Sequence, residues 1–200
     1  SPITFGDLLK QDLRIPHYQR PYSWEPATAL QLLDDIRDAM IDPERKDVPY
    51  VLGAVILHRT DTSLDVVDGQ QRLLTLRMIL LLLEPPDEFG HHEYAVNPIG
   101  RVWGELRLHI EDASKADRAA LARFIRERCE LVRIETDDID EAFRVFDSQN
   151  YRGKPLAPHD LLKAHHLRGM RGESAAMEAA VVETWESVAD DELDRLFSIY

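Results

Sequence analysis

The stretch Val66-Val67-Asp68-Gly69-Gln70-Gln71-Arg72 decides how this chain is read. Two β-branched residues run directly into a polar turn, and the turn runs directly into a leucine-rich segment. Strand propensity ends at Asp68-Gly69. Beyond it Leu73, Leu76, Leu80 and Leu83 recur at helical spacing, which predicts a helix over residues 70–83 with those leucines on one face. Pro85-Pro86 stops that helix. The start of such a helix attracts anions, because its first N–H groups lack intrahelical acceptors and the helix dipole is positive there. Gly69 lets another backbone or a phosphate come close, and Arg72 in the first turn adds a bidentate fork. Asp68 is suited to Mg²⁺, and Gln70 or Gln71 to orienting a water. The plainer alternative is that Asp68 is only a helix N-cap in one of many polar strand-to-helix turns.

Upstream, residues 48–58 are apolar on both faces, which predicts a strand central in a sheet. Asp61-Thr62-Ser63 is a turn, residues 64–67 form a second strand, and the pair reads as a hairpin. Pro26 opens a helix with an apolar stripe of Leu30, Leu33, Ile36 and Met40, ended by Asp42-Pro43. Thr4 caps a short helix carrying Phe5, Leu8 and Leu9. Between these helices lies Ile15-Pro16-His17-Tyr18-Gln19-Arg20-Pro21-Tyr22-Ser23-Trp24, an extended segment dense in aromatic rings. Rings beside a guanidinium suit stacking on a base, or an apolar modified group next to a phosphate. The alternative, that Tyr22 and Trp24 are core anchors, is favoured for Trp24 and less for Tyr18, Gln19 and Arg20.

Downstream, the chain reads mainly helical, with a strand over residues 131–135 and a helix over 137–147. The fold class expected is α+β: a small mixed sheet with a hairpin over residues 1–90, then a mainly helical portion over 91–200. Phe146-Asp147-Ser148-Gln149-Asn150-Tyr151-Arg152-Gly153-Lys154-Pro155-Leu156 is followed by Asp160-Leu161-Leu162-Lys163. Residues 148–171 carry five basic side chains against one acidic one, inside a chain of net charge −13. This island is either a local positive pocket or a solvated face that balances nearby acids.

Composition narrows the function. With 44% hydrophobic and 30% charged residues the chain is globular rather than disordered. Its charge excludes a nonspecific nucleic-acid coat, so any phosphate site must be a local one. A single cysteine, Cys129, excludes an internal disulfide and a cysteine zinc cage and fits a reducing cytoplasm. The longest apolar run, residues 78–83, is far too short to span a membrane. Walker, dinucleotide, G-x-S-x-G and H-E-x-x-H motifs are all absent. The start at Ser1 and the stop within a helical pattern at Phe197-Ser198-Ile199-Tyr200 read as an excised fragment.

The order I-P-x-Y-Q-R-P-Y-x-W, L-G-x-h-h-L, V-V-D-G-Q-Q-R-L and F-x-x-x-N-x-R-G-x-P-L-x-x-x-D-L-L-K resembles the GmrSD N-terminal family, the DGQQR-motif domain. That domain occurs in modification-dependent restriction systems and in the phosphorothioate-sensing protein SspE. The resemblance runs from about residue 3 to residue 166. It implies a ParB/sulfiredoxin-like fold elaborated with helices. It implies nucleotide hydrolysis at Asp68, Gln70, Gln71 and Arg72, with Mg²⁺ and an NTP, GTP being the one expected. It implies nucleotide contacts from Gly69, Arg72, Arg20, Asn150, Arg152 and Lys163, and modified-DNA contacts from Tyr18, Gln19, Arg20, Pro21 and Tyr22. Gly153 and Asp160 match the same later motif. The family's L-T-T-L becomes Leu73-Leu74-Thr75-Leu76 here, which removes one hydroxyl at Leu74.

The resemblance further implies a downstream nuclease domain or subunit as partner, since no histidine–asparagine–histidine nuclease pattern lies in these 200 residues. The resulting expectation is a cytoplasmic NTP-hydrolysing sensor of a bacterial anti-phage restriction protein, with nucleotide and modified double-stranded DNA as partners. Homo-oligomerisation stays open. Two alternatives remain: a non-catalytic nucleotide- or DNA-binding module, and a DNA-nicking ParB-like domain.

Overall fold

The structure, a computed structural model, describes residues 1–16, 19–85 and 97–150, the last span without the side chains of Asp147, Gln149 and Asn150. The elements run β1 (Pro2–Thr4), α1 (Phe5–Leu8), β2 (Leu13–Arg14), α2 (Pro26–Ile41), β3 (Tyr50–Arg59), β4 (Leu64–Asp68), α3 (Gln70–Leu83), α4 (Pro98–Ile110), α5 (Lys115–Arg128), β5 (Cys129–Thr136) and α6 (Ile139–Asn150). The class is α+β. A five-stranded sheet has the order β1-β5-β3-β4-β2, with β3 in the middle as its two apolar faces require. β3 and β4 form the antiparallel hairpin, β1 runs antiparallel to β5, and β2 runs parallel to β4. The sheet is not confined to the first 90 residues, because β5 lies between β1 and β3.

The chain groups into two compact units. The first holds residues 1–12, 22–55 and 69–134. Its centre is α3, which packs against α4 and α5. The expectation of one apolar face on α3 is too narrow. Leu73, Leu74, Leu76, Met78, Ile79, Leu80, Leu81 and Leu83 are all buried, as are Gln70, Gln71, Thr75 and Arg77. A helix apolar on every side belongs inside a core. Leu74 sits where the family pattern carries a hydroxyl, and it is fully buried. On α2 the buried positions are Ala29, Leu33, Ile36 and Ala39 rather than Leu30 and Met40. The small residues let α2 pack closely, and the larger side chains lie half-exposed beside them. Thr4 caps α1 as expected, its hydroxyl accepting from the Asp7 amide at 3.1 Å.

The second unit holds residues 13–21 and 56–68 and the chain from 135 on. Its core includes Leu13, Ile56, Leu57, Leu64, Val66, Val67 and Ala142, and α6 packs against β4. The hairpin register slips between Ile56 and Leu57, which pair with Asp68 and Val66. Val67 is thus the extra residue of a bulge that ends the ladder at Asp68. Arg59 pairs with Glu135 on β5 within this unit.

Candidate functional site

The turn at residues 68–70 is built by glycine geometry. Gly69 is the N-cap of α3, with φ of 95° and ψ of 0°. A Cβ there would meet Val55 Cγ2 at 3.3 Å and the Ala54 carbonyl oxygen at 3.4 Å. What approaches Gly69 closely is therefore β3. The first helical bond runs from the Leu73 amide to the Gly69 carbonyl at 3.0 Å, so the amides of Gln70, Gln71 and Arg72 have no acceptor within the helix.

Arg72 turns back across the sheet. Its Nη1 donates to the Ala54 carbonyl at 3.3 Å. Its guanidinium lies against Gly53, where a Cβ would come 2.9 Å from Nη1, 3.2 Å from Cζ and 3.4 Å from Nη2. Gly53 has a φ of 119°, in the region that favours glycine. Gly53 thus serves the site as the seat of the guanidinium, a role outside the motif residues. The signal was present: a glycine in the interior of an apolar strand marks a close approach.

The guanidinium opens on a cleft of about 490 Å³ lined also by Trp24, Gln31, Asp35, Tyr50 and Leu52, all in the first unit. That volume lies in the range of small-molecule sites. Burial first, then the Asp35 charge, pushes the Tyr50 phenol up, while Arg45 and Arg72 pull it the other way. Asp35 and Arg72 are therefore both within electrostatic reach of one hydroxyl. Arg45 Cζ stands 5.9 Å from the Tyr50 ring centroid, at the outer limit of a cation–π contact.

One wall of the cleft is stitched to α3 by polar groups. The Gln71 side-chain oxygen accepts from the Ser23 amide at 2.8 Å and the Trp24 amide at 3.3 Å. Thr75 donates to the Gln71 carbonyl at 2.8 Å, and its hydroxyl is also 2.8 Å from the Tyr22 hydroxyl. A hydroxyl has one proton, so Tyr22 is the donor to Thr75. This network holds Trp24 in the cleft wall and sets where three of the residues singled out in the sequence lie. Tyr22, expected at DNA, is 3% exposed and belongs to the core. Trp24, expected in the core, is half-buried and lines the cleft. Gln71, expected to orient water, uses its side-chain oxygen to position residues 23 and 24.

Gln19, expected at DNA, is likewise engaged internally. Its Nε2 donates to the Val66 carbonyl at 3.0 Å and the Val67 carbonyl at 2.8 Å. The β2–β4 ladder pairs Leu13 with Leu64 and Arg14 with Asp65, so Gln19 continues it with a side chain. Arg20 is exposed and Pro21 half-buried. Asp68, half-buried, closes β4, and Gln70 is 4% exposed at the start of α3. Tyr18, Arg152, Gly153, Asp160 and Lys163, and the side chain of Asn150, lie outside the described residues, as does most of the basic island.

A family model, the N-terminal domain of the GmrSD restriction endonuclease, matches residues 5–167, most of the chain. The chain belongs to the GmrSD N-terminal domain family. It is thus a module of a restriction system, a setting that brings DNA and a nuclease partner domain with it. No curated protein matches the chain. No helix among the described residues of this GmrSD-type domain is long and apolar enough to cross a membrane. No group of three or more histidine, cysteine or carboxylate side chains gathers among them at metal-binding spacing.

Tyr22 yields a stability prediction. Burial raises its phenol pKa from 10.0 to about 12. The protonated form is the one the fold favours, so its contribution is complete below pH 10.0 and is lost as the pH rises toward about 12. Tyr22→Phe removes one hydrogen bond and costs about 1 kcal/mol at neutral pH in a urea melt. It also flattens the alkaline fall in stability over that window, and it leaves DNA affinity unchanged.

Proposed function

We propose that this domain binds and hydrolyses a nucleoside triphosphate and couples that reaction to recognition of modified DNA, phosphorothioate DNA first among the candidates. The observation that carries the reading is the Arg72 guanidinium, held across Gly53 and opening on a cleft with two aromatic walls. The ring of Trp24 gives a base a surface to stack on, while Arg72 and the start of α3 attract phosphate. On transfer of the terminal phosphoryl group to water, negative charge grows on the equatorial and leaving oxygens. Arg72 stabilises that charge more in the transition state than in the ground state, which is the condition for acceleration. Gln70 is the residue assigned to the attacking water, in a setting screened from bulk solvent. Asp68 is the residue that would hold Mg²⁺, which neutralises phosphate charge when bound.

DNA contact in this reading falls to exposed Arg20 with Pro21, and to Tyr18 before them. A phosphorothioate sulfur is larger and less hydrated than oxygen, so an apolar wall beside a guanidinium suits it. Asn150, Arg152 and Lys163 keep their expected nucleotide role as part of the proposal. The ParB-like likeness of the sheet, a cytoplasmic setting and a nuclease domain as the output belong to the same reading.

The test is NTP turnover by the purified protein with Mg²⁺, with and without phosphorothioate DNA. The reading expects turnover that modified DNA alters. A second reading, nucleotide binding without hydrolysis, is favoured by the engagement of the Gln71 side-chain oxygen with two backbone amides. Measured hydrolysis dismisses it, while tight binding with no turnover establishes it.

A further inference from the structure

Arg72 accounts for one end of the cleft and leaves a carboxylate in its wall unexplained. Asp35 projects from the middle of α2 and lines the same space as Trp24 and Arg72. A carboxylate in a site for a polyanion repels its ligand unless it faces a part of the ligand rich in N–H groups. Asp35 is exposed, and a neighbour on its own helix orients it. Gln31, one turn earlier on the same helix, donates from Nε2 to Asp35 Oδ1 at 2.7 Å. A carboxylate oxygen has a second lone-pair position, so this bond orients the group without exhausting it.

The four common bases present different edges to a carboxylate. Guanine offers N1–H and N2–H₂ side by side, two donors that match the two oxygens. Adenine and cytosine each offer one amino donor next to a ring-nitrogen acceptor, so one bond is made against one repulsion. Uracil offers one N–H between two carbonyl acceptors. A single carboxylate thus selects guanine by pairing and rejects the others by repulsion. Trp24, held in the wall by the Gln71 side-chain oxygen, supplies the stacking surface that would set a base in plane with such a reader. Arg72 lies in the same cleft, so one molecule can present its phosphates to the guanidinium and its base edge to the carboxylate.

We infer that Asp35 is the base-reading residue of this cleft and selects a guanine nucleotide through the N1–H and N2–H₂ edge. The inference rests on the nucleotide reading above and adds a specificity residue outside the D-G-Q-Q-R turn. Gln31 is its positioning residue.

The experiment is calorimetric binding of GTP, ITP, ATP and XTP to the purified protein and to Asp35→Asn. Inosine lacks the N2 amine, and xanthine carries an oxygen there. The wild type binds GTP at least roughly tenfold more tightly than ITP or ATP, the loss expected for a missing charge-assisted hydrogen bond. In Asp35→Asn the GTP preference over ITP and ATP collapses and XTP affinity rises roughly tenfold, because the new amide nitrogen donates to the xanthine oxygen. A gain of affinity cannot come from damage to the fold, and asparagine still accepts the Gln31 bond. Nucleotide binding without guanine preference, or an unchanged profile in Asp35→Asn, overturns this inference and leaves the nucleotide reading standing. Failure of the wild type to bind any of the four overturns both.

Discussion

Arg72→Ala lowers NTP turnover by ~10²–10³-fold and leaves the fold intact. That magnitude is typical for removing one preorganised group aimed at developing charge. Retention of the fold follows from the position. Arg72 is half-buried at the start of α3, its guanidinium at the cleft rather than inside the core, and alanine is the best helix former. Turnover of saturating NTP and of trace NTP, with circular dichroism and a urea melt on the same samples, separates chemistry from binding. Equal falls in kcat and kcat/KM mark an interaction made in the transition state. Arg72→Lys does not restore activity, because an ammonium lacks the planar fork and the reach across Gly53. Turnover within twofold of wild type in a folded Arg72→Ala protein contradicts the assignment of this turn.

Gly53→Ala has the second large effect, and it acts on both stability and activity. An alanine at φ of 119° is strained, at a cost of about 1–3 kcal/mol. Its Cβ would stand 2.9 Å from Arg72 Nη1, closer than the two atoms tolerate. The guanidinium is the end of a long side chain and moves away at little cost to the fold. The steric damage is therefore functional, with turnover falling at least ~10-fold as the charge leaves its place. The double variant with Arg72→Ala tells the two effects apart. The backbone penalty stays in the melt, while turnover falls no further than in Arg72→Ala alone, since the displaced group is already gone. Additive losses in turnover would mean that Gly53 acts on the cleft by another route.

Much of the fold was legible because its signals are local. The apolar run of β3, the Asp61-Thr62-Ser63 turn and the Asp68-Gly69 break define a hairpin and a helix start with no help from distant residues. Pro26 and Thr4 mark helix starts by the same local chemistry. The placement of β5 between β1 and β3 was not legible, because pairing between strands far apart in the chain leaves no mark in a short window. The all-round burial of α3 was hidden by its polar start, where Gln70 and Gln71 read as groups for a ligand's water and are buried.

The site was half legible for a related reason. Composition showed that residues 15–24 were special but not which ring faced which way. Tyr22 went inward because Thr75 stands ready to accept its proton, and Trp24 stayed at the cleft because Gln71 holds its backbone there. A side chain that bonds distant backbone groups, as Gln71 does with two amides and Gln19 with two carbonyls, looks in sequence like one waiting for a ligand. The turn alone singles out Arg72 as a candidate. Its seat on Gly53 required the strand and the helix together.

The most direct measurement is a crystal structure of the protein with Mg²⁺ and a non-hydrolysable nucleoside triphosphate. A phosphate oxygen about 3 Å from the Arg72 guanidinium, with the base against Trp24, is the predicted result. A nucleotide bound elsewhere, with Arg72 still resting on Gly53 and no phosphate in its reach, would contradict it.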